Sequence, residues 1–146
     1  MTLGQLAANA KALKPLELFA EVIEENKEFI VDLNTSQLEE GKDSNNESIS
    51  PEYLMPEYAQ LKISMGSKAP LGTPNLNFEG DFYEGIYSEP GKDGGIFISS
   101  TDSKTGKLTG KYGTNIFGLT AKSKTEFKTV SLPGLLTKMK HELFSK

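Results

Sequence analysis

Two apolar, β-prone runs with a turn-forming cluster between them constrain this chain more than any other feature. From Asn77 the sequence reads NFEGDFYEGIYSEPGKDGGIFISS, ending at Ser100. In the second run Ile96, Ile98 and Ser100 fall on one side of an extended chain, and Phe97 and Ser99 on the other. In the first run Tyr83, Ile86 and Tyr87 lie close together, beside Gly80 and Gly85. Pro90-Gly91-Lys92-Asp93-Gly94 separates the runs, and Gly and Asp tolerate the positive φ that such a loop needs. The pattern predicts a β-hairpin. A lone hairpin is only marginally stable in water, so other elements must cover it.

Both ends of the chain carry helical patterns suited to that task. Leu3, Leu6, Ala7, Ala10 and Leu13 follow helical spacing, with Thr2 as a cap. Lys14-Pro15 interrupts, because the residue before proline is pushed out of the helical region, and Pro15 then suits the first position of a new helix. Leu16, Phe19, Ile23, Ile30 and Leu33 mark one face of that helix. It is expected to run to about Leu33, with a restart at Thr35-Ser36 before a stop at Gly41. Residues 41–75 read as a long loop region, with a short helix expected around Glu57 to Met65. In it Tyr53 and Tyr58 read as packing residues. Near the C-terminus, Ile116, Phe117 and Leu119 are expected in the core and Thr120 as a helix cap. The segment from Ala121 to Val130 fits either state: Thr125, Phe127 and Thr129 alternate like a strand, whereas the capped start favours a helix. Pro133 is expected to open the last helix, with Leu132, Leu136, Met139 and Leu143 on its inner face and Leu135 and Phe144 at the margins. The reading is an α+β domain spanning 1–146: a small antiparallel sheet centred on a hairpin, flanked by a long N-terminal helix and a C-terminal helix. Residues 1–14 are an N-terminal arm or short helix.

Residue inventory narrows function. At 146 residues the chain is long enough for one domain that buries roughly two-thirds of its unfolded surface. No apolar run approaches the ~20 residues that span a bilayer, and MTLGQLAANAKALKP lacks the basic start and apolar core of a secretory signal. There is no cysteine, which excludes disulfides and thiol chemistry. All sixteen basic residues are lysine, and His141 is the one histidine. Nucleic-acid readers rely on the forked donors of arginine, so with a net charge of −4 no sequence-specific nucleic-acid binding is expected. His141, near the end of a helix, reads as an exposed, dipole-compatible residue rather than a catalyst.

Two apparent ligand loops fail on spacing. Asp43-x-Asn45-x-Glu47 begins like a calcium loop, but Ser48 stands at the sixth position and Leu54 at the twelfth, where glycine and glutamate are required. Asn46-Glu47-Ser48 matches a glycosylation sequon, which has no meaning without export. Gly106-Lys107-Leu108-Thr109-Gly110-Lys111 has one residue too few between its glycines for a phosphate loop, and Tyr112 follows where Ser or Thr is needed. No cofactor, metal or catalytic residue is expected. A small hydrolase is disfavoured by the lack of cysteine, arginine and any clustered acid–base pair.

Taken in order, several segments resemble the virion-morphogenesis or tail-completion proteins of tailed bacteriophages. Phe29-Ile30 through Gln37-Leu38-Glu39-Glu40-Gly41, then the polar loop and Ser50-Pro51, resembles a helix leading into that family's "PDG-x-x-W" loop. Lys62 through Leu76 and Glu79-Gly80-Asp81-Phe82-Tyr83-Glu84-Gly85-Ile86 resembles its "L-x-x-T/S-G-x-L-x-x-S-I" segment. Tyr112-Gly113 resembles its "YA-x-x-x-xG" element, and Ile116-Phe117-Gly118-Leu119-Thr120 is similar to the "PFLGLS" that opens its last helix. The chain departs in having no tryptophan in the loop, no proline before Ile116-Phe117, and Gly85 in place of an arginine or serine neighbourhood. The resemblance implies a structural protein of the virion, assembled in the host cytoplasm. It would act as a ring subunit at the head–tail junction, with itself and other neck and tail proteins as partners, no membrane and no active site. The competing reading is a non-viral interaction or immunity-type module whose acidic half binds one basic partner.

Charge suggests where such a subunit would meet its neighbours. Met1 to Ser103 holds 7 lysines against 18 acids, a net of −11, whereas Lys104 to Lys146 holds 9 lysines against 2, a net of +7. A ring needs one surface of a subunit to meet a different surface of the next. The expected contact sets Lys122, Lys124, Lys128, Lys138 and Lys140 against Glu17, Glu21, Glu24 and Glu28 of the neighbour. The bland alternative is two solvated faces attracting one another within a single fold.

Overall fold

The structure, a computed structural model, describes residues 1–145. Its sheet is the expected hairpin. β1 (Ile86–Pro90) and β2 (Ile96–Ser100) pair antiparallel, with Ile86 opposite Ser100 and Pro90 opposite Ile96. In the connecting loop Gly91 N–H donates to the Gly95 carbonyl at 2.7 Å, and Asp93 Oδ1 accepts from Gly95 N–H at 3.2 Å. Ile98 and Ser100 are buried, Ile96 is half-buried and Phe97 is exposed, which is the alternation read from the sequence.

Among the described residues, seven α-helices accompany the hairpin. The first, α1 (Leu3–Ala12), starts in a capping box: Thr2 Oγ1 accepts from Gln5 N–H at 3.1 Å, and Gln5 Oε1 accepts from Thr2 N–H at 2.7 Å. The expected long N-terminal helix is two, α2 (Pro15–Glu25) and α3 (Lys27–Glu39). Asn26 makes the break. Its Nδ2 donates to the Val22 carbonyl at 2.7 Å, competing with the main chain at the end of α2, while its own carbonyl accepts from Ile30 N–H at the start of α3. The stop at Gly41 is a Schellman turn: Lys42 N–H donates to the Gln37 carbonyl and Gly41 N–H to that of Leu38, each at 2.9 Å. Gly41 has φ +74°, and a Cβ there would lie 2.6 Å from Thr73 Cγ2, so the turn also lets the chain at 69–74 press on the helix end.

The long loop region contains α4 (Pro56–Ser64), as expected. The first apolar run is not extended throughout: α5 (Asp81–Gly85) occupies its front half and buries Phe82. Gly106 to Lys111, which the spacing does not mark as helical, lies in α6 (Thr105–Tyr112), anchored by buried Leu108. A 3₁₀ turn, Thr114–Ile116, leads to α7 (Ala121–Phe144), a helix of 24 residues. Thr120 caps α7 as predicted, its Oγ1 accepting from Ser123 N–H at 3.1 Å, and this resolves 121–130 as helix.

Two expectations about α7 are corrected. Pro133 lies inside the helix rather than opening it. Proline cannot donate to the Thr129 carbonyl, but Thr129, Val130 and Leu132 are exposed, so water can satisfy it. The inner face is only partly as expected, with Met139 and Leu143 half-buried. Leu132 and Leu136 are 51% and 44% exposed, and Phe144 is exposed. Ser123, Phe127, Ser131 and Leu135, four residues apart, turn inward instead, with Ser131 Oγ donating to the Phe127 carbonyl.

The core joins α2 and α3 to the hairpin through Ile23, Ile30, Leu33, Leu38, Ile86 and Ile98, and is completed by Leu76, Phe82, Leu108, Ile116 and Leu119. Phe117 is half-buried against it. The architecture is α+β, with a two-stranded sheet. α2 and α3 pack on β1. α7 packs chiefly on α1, α2 and α3 rather than covering the hairpin as expected. That offset leaves a groove between α7 and the hairpin. Among the described residues no helix is long and apolar enough to cross a membrane.

Candidate interaction surface

Two amides on the inner face of α3 fix the start of α7. Asn34 is completely buried; its Nδ2 donates to the Ile116 carbonyl at 3.0 Å and its Oδ1 accepts from Gly118 N–H at 2.9 Å. One turn on, Gln37 Nε2 donates to the Gly118 carbonyl at 2.8 Å and Oε1 accepts from Thr120 N–H at 2.9 Å. The segment 116–120 therefore bonds along α3 as if to a strand, through side chains. Ser44 N–H reaches the Asn115 carbonyl at 2.8 Å and brings the polar loop to the same place. Asp43 Oδ1 accepts from the N–H groups of Asn45 and Glu47, so the residues that imitate a calcium loop shape its turn. Gly118, at φ +129°, faces Ser44 so closely that a Cβ would sit 2.9 Å from the serine Cβ.

The clasp forms one end of the groove. About 610 Å³ in volume, it is walled by Phe19, Val22 and Ile23 of α2, by Ile96 and Ile98 of β2, and by Phe127 and Leu135 of α7. Lys124 and Lys128 stand at its edge. The sequence reading did not find this groove. The only available signal was the four-residue repeat Ser123, Phe127, Ser131, Leu135, which the assumed start at Pro133 obscured.

The predicted interface residues fall into different situations. Lys138 lies 2.7 Å from Glu25 and 3.3 Å from Glu21 of its own chain, and these hydrogen bonds, Glu25 first, hold its pKa above the usual lysine value. For this pair the expected contact between subunits is corrected: it is internal, because α2 and α7 pack within one chain. Glu24 pairs with Lys27 at 3.0 Å and Glu17 with Lys14 at 3.8 Å, both between neighbours on the chain. Such exposed pairs are individually weak, because solvent screens them. Glu28, Lys122, Lys124, Lys128 and Lys140 are exposed and have no ion-pair partner among the described residues.

The segment from 50 to 78 provides a second surface. Tyr53 and Tyr58 pack edge to face, 4.9 Å between ring centres and 81° between planes. Above them Leu54 is 95% exposed and Met55 64%. Burial raises the Tyr53 phenol to about 12, and its hydroxyl reaches no partner among the described residues. Tyr83 is raised further by burial, and its hydroxyl donates to the Asn75 carbonyl. Lys62 is buried without a counter-ion, its Nζ donating to the Asn77 carbonyl at 2.5 Å; desolvation lowers its pKa. Among the described residues no group of three or more His, Cys, Asp or Glu is placed to hold a metal ion.

Compared with protein-family models, curated proteins and solved structures, the chain matches none of them.

Proposed function

We propose that this chain is a structural subunit of a tailed-phage particle, acting in a ring at the head–tail junction in the manner of tail-completion or tail-terminator proteins. One observation carries the reading. Parts of three segments that resemble that family, 29–41, 79–86 and 116–120, meet in the core of this fold. Asn34 and Gln37, within the first resembling helix, clasp Ile116 to Thr120, the segment similar to "PFLGLS". Phe82 and Ile86, within the glycine-containing segment, are buried in the same core.

The internal chemistry agrees with a scaffold. The buried polar side chains of Asn34, Gln37, Ser88 and Ser100 bond to main-chain carbonyls of other segments, which fixes elements relative to one another. The exposed apolar residues and the free lysines lie outside that framework, where a neighbour would cover them.

Disrupting the reading frame in the phage genome that would encode it and imaging the resulting lysate tests the proposal. Separate filled heads and unattached tails are expected. Intact, infectious particles lacking the protein would overturn it.

A further inference from the structure

The exposed apolar turn at 54–55 and the groove beside α7 have matching shapes of charge and greasiness. Leu54 and Met55 project from a turn held at its two ends by main-chain hydrogen bonds. Tyr53 N–H donates to the Gly72 carbonyl at 2.9 Å, Ala59 N–H donates to the Met55 carbonyl at 3.1 Å, and the two tyrosine rings pack beneath. Glu52 and Glu57 flank this knob, and neither has an ion-pair partner among the described residues.

The groove presents the complement. Its walls are mainly apolar; among the described residues no carboxylate lines it, and its two charges are Lys124 and Lys128, which have no ion-pair partner there. None of the residues from 46 through 93 lines it, so knob and groove occupy separate surfaces of the chain.

We infer that the Leu54–Met55 knob of one copy docks in the α2–β2–α7 groove of the next, with Glu52 and Glu57 against Lys124 and Lys128. The inference rests on the ring reading above and names its contact. Repeated head to tail, a contact between two unlike surfaces generates a ring when the rotation closes. It also explains why α7 stands off the hairpin: the gap receives the neighbour. Apolar insertion supplies the affinity, and the two exposed charge pairs set register and salt sensitivity.

The test begins with Leu54→Asp, followed by sedimentation and light scattering over a range of concentrations. Covering a leucine that is otherwise in water predicts assembly about ten- to a hundredfold weaker. The helix circular dichroism of the subunit should be unchanged, because the side chain touches little in its own chain. Lys124→Glu with Lys128→Glu should weaken assembly by up to about tenfold, as should Glu52→Lys with Glu57→Lys, and the four changes together should restore it. The cysteine-free chain allows direct trapping. Leu54→Cys mixed with Leu135→Cys should form a mixed disulfide more readily than either forms alone. Assembly indifferent to Leu54→Asp, or Leu54→Cys coupling chiefly to itself, overturns the contact and leaves the ring standing. A dimer that Leu54→Asp dissolves keeps the contact and overturns the ring, whereas a wild-type monomer at every concentration overturns both.

Discussion

Replacing Asn34 gives the sharpest test of how this fold is held. The side chain is fully buried and makes two hydrogen bonds to main-chain groups of the 116–118 segment. In Asn34→Leu the volume is nearly kept, so little of any loss comes from a cavity. The Ile116 carbonyl and the Gly118 N–H are left without partners in a dry interior. At about 1–3 kcal/mol for each orphaned group, the change should cost about 2–5 kcal/mol, against a total of about 5–15 kcal/mol for an ordinary domain. Urea unfolding followed by helix circular dichroism suits a chain with no tryptophan, and the midpoint should fall by about 1–2.5 M. Asn34→Asp adds a pH signature. The carboxylate can still accept from Gly118 N–H but cannot donate to Ile116, and burial raises its pKa in the folded state. Its penalty is therefore absent below the unfolded value of about 3.9, grows as pH rises from there to the folded value, and is complete above it. An Asn34→Leu variant as stable as wild type, or an Asn34→Asp deficit that does not change with pH, would refute the clasp.

Other substitutions probe separate parts of the account. Ile98→Ala, in the buried face of the hairpin, should cost about 2–4 kcal/mol in the same assay, and a near-neutral result would overturn the register. Tyr53→Phe should be neutral or stabilising because its hydroxyl reaches no partner among the described residues, whereas Tyr83→Phe should cost about 1 kcal/mol, and the reverse order would contradict both environments. Lys62 has its pKa lowered by burial, so between the folded and unfolded values the unfolded chain binds more protons and stability rises with pH. Lys62→Met should remove that rise on the alkaline side, and a slope identical to wild type would show that Lys62 titrates normally.

The hairpin was legible because period-two alternation survives wherever one face is buried, and the Thr120 cap because its side chain acts on the adjacent turn. The break at Asn26 was not legible, since one amide bonding to Val22 decides it within an otherwise continuous helical pattern. The phase of α7 was misread for a physical reason: proline suits a first turn, yet an exposed helix face also tolerates it when water serves the freed carbonyl. Small serines then mark the inner face, where the sequence offers leucines at competing positions. α6 forms despite Gly106 and Gly110, because Leu108 is drawn into the core and tertiary packing outweighs propensity. Asn34 and Gln37 could have been found. They share the phase of Ile30, Leu33 and Leu38, and amides in an apolar stripe need partners. The charge segregation was visible, but which lysines are engaged internally depends on helix packing that spacing does not encode.

Sizing the purified chain by native mass spectrometry tests the ring most directly. The account predicts one dominant species at a single integer multiple of 16.0 kDa, large enough to close a ring and persistent on dilution to micromolar concentration. A monomer throughout, or an open series of sizes that grows with concentration, would contradict it.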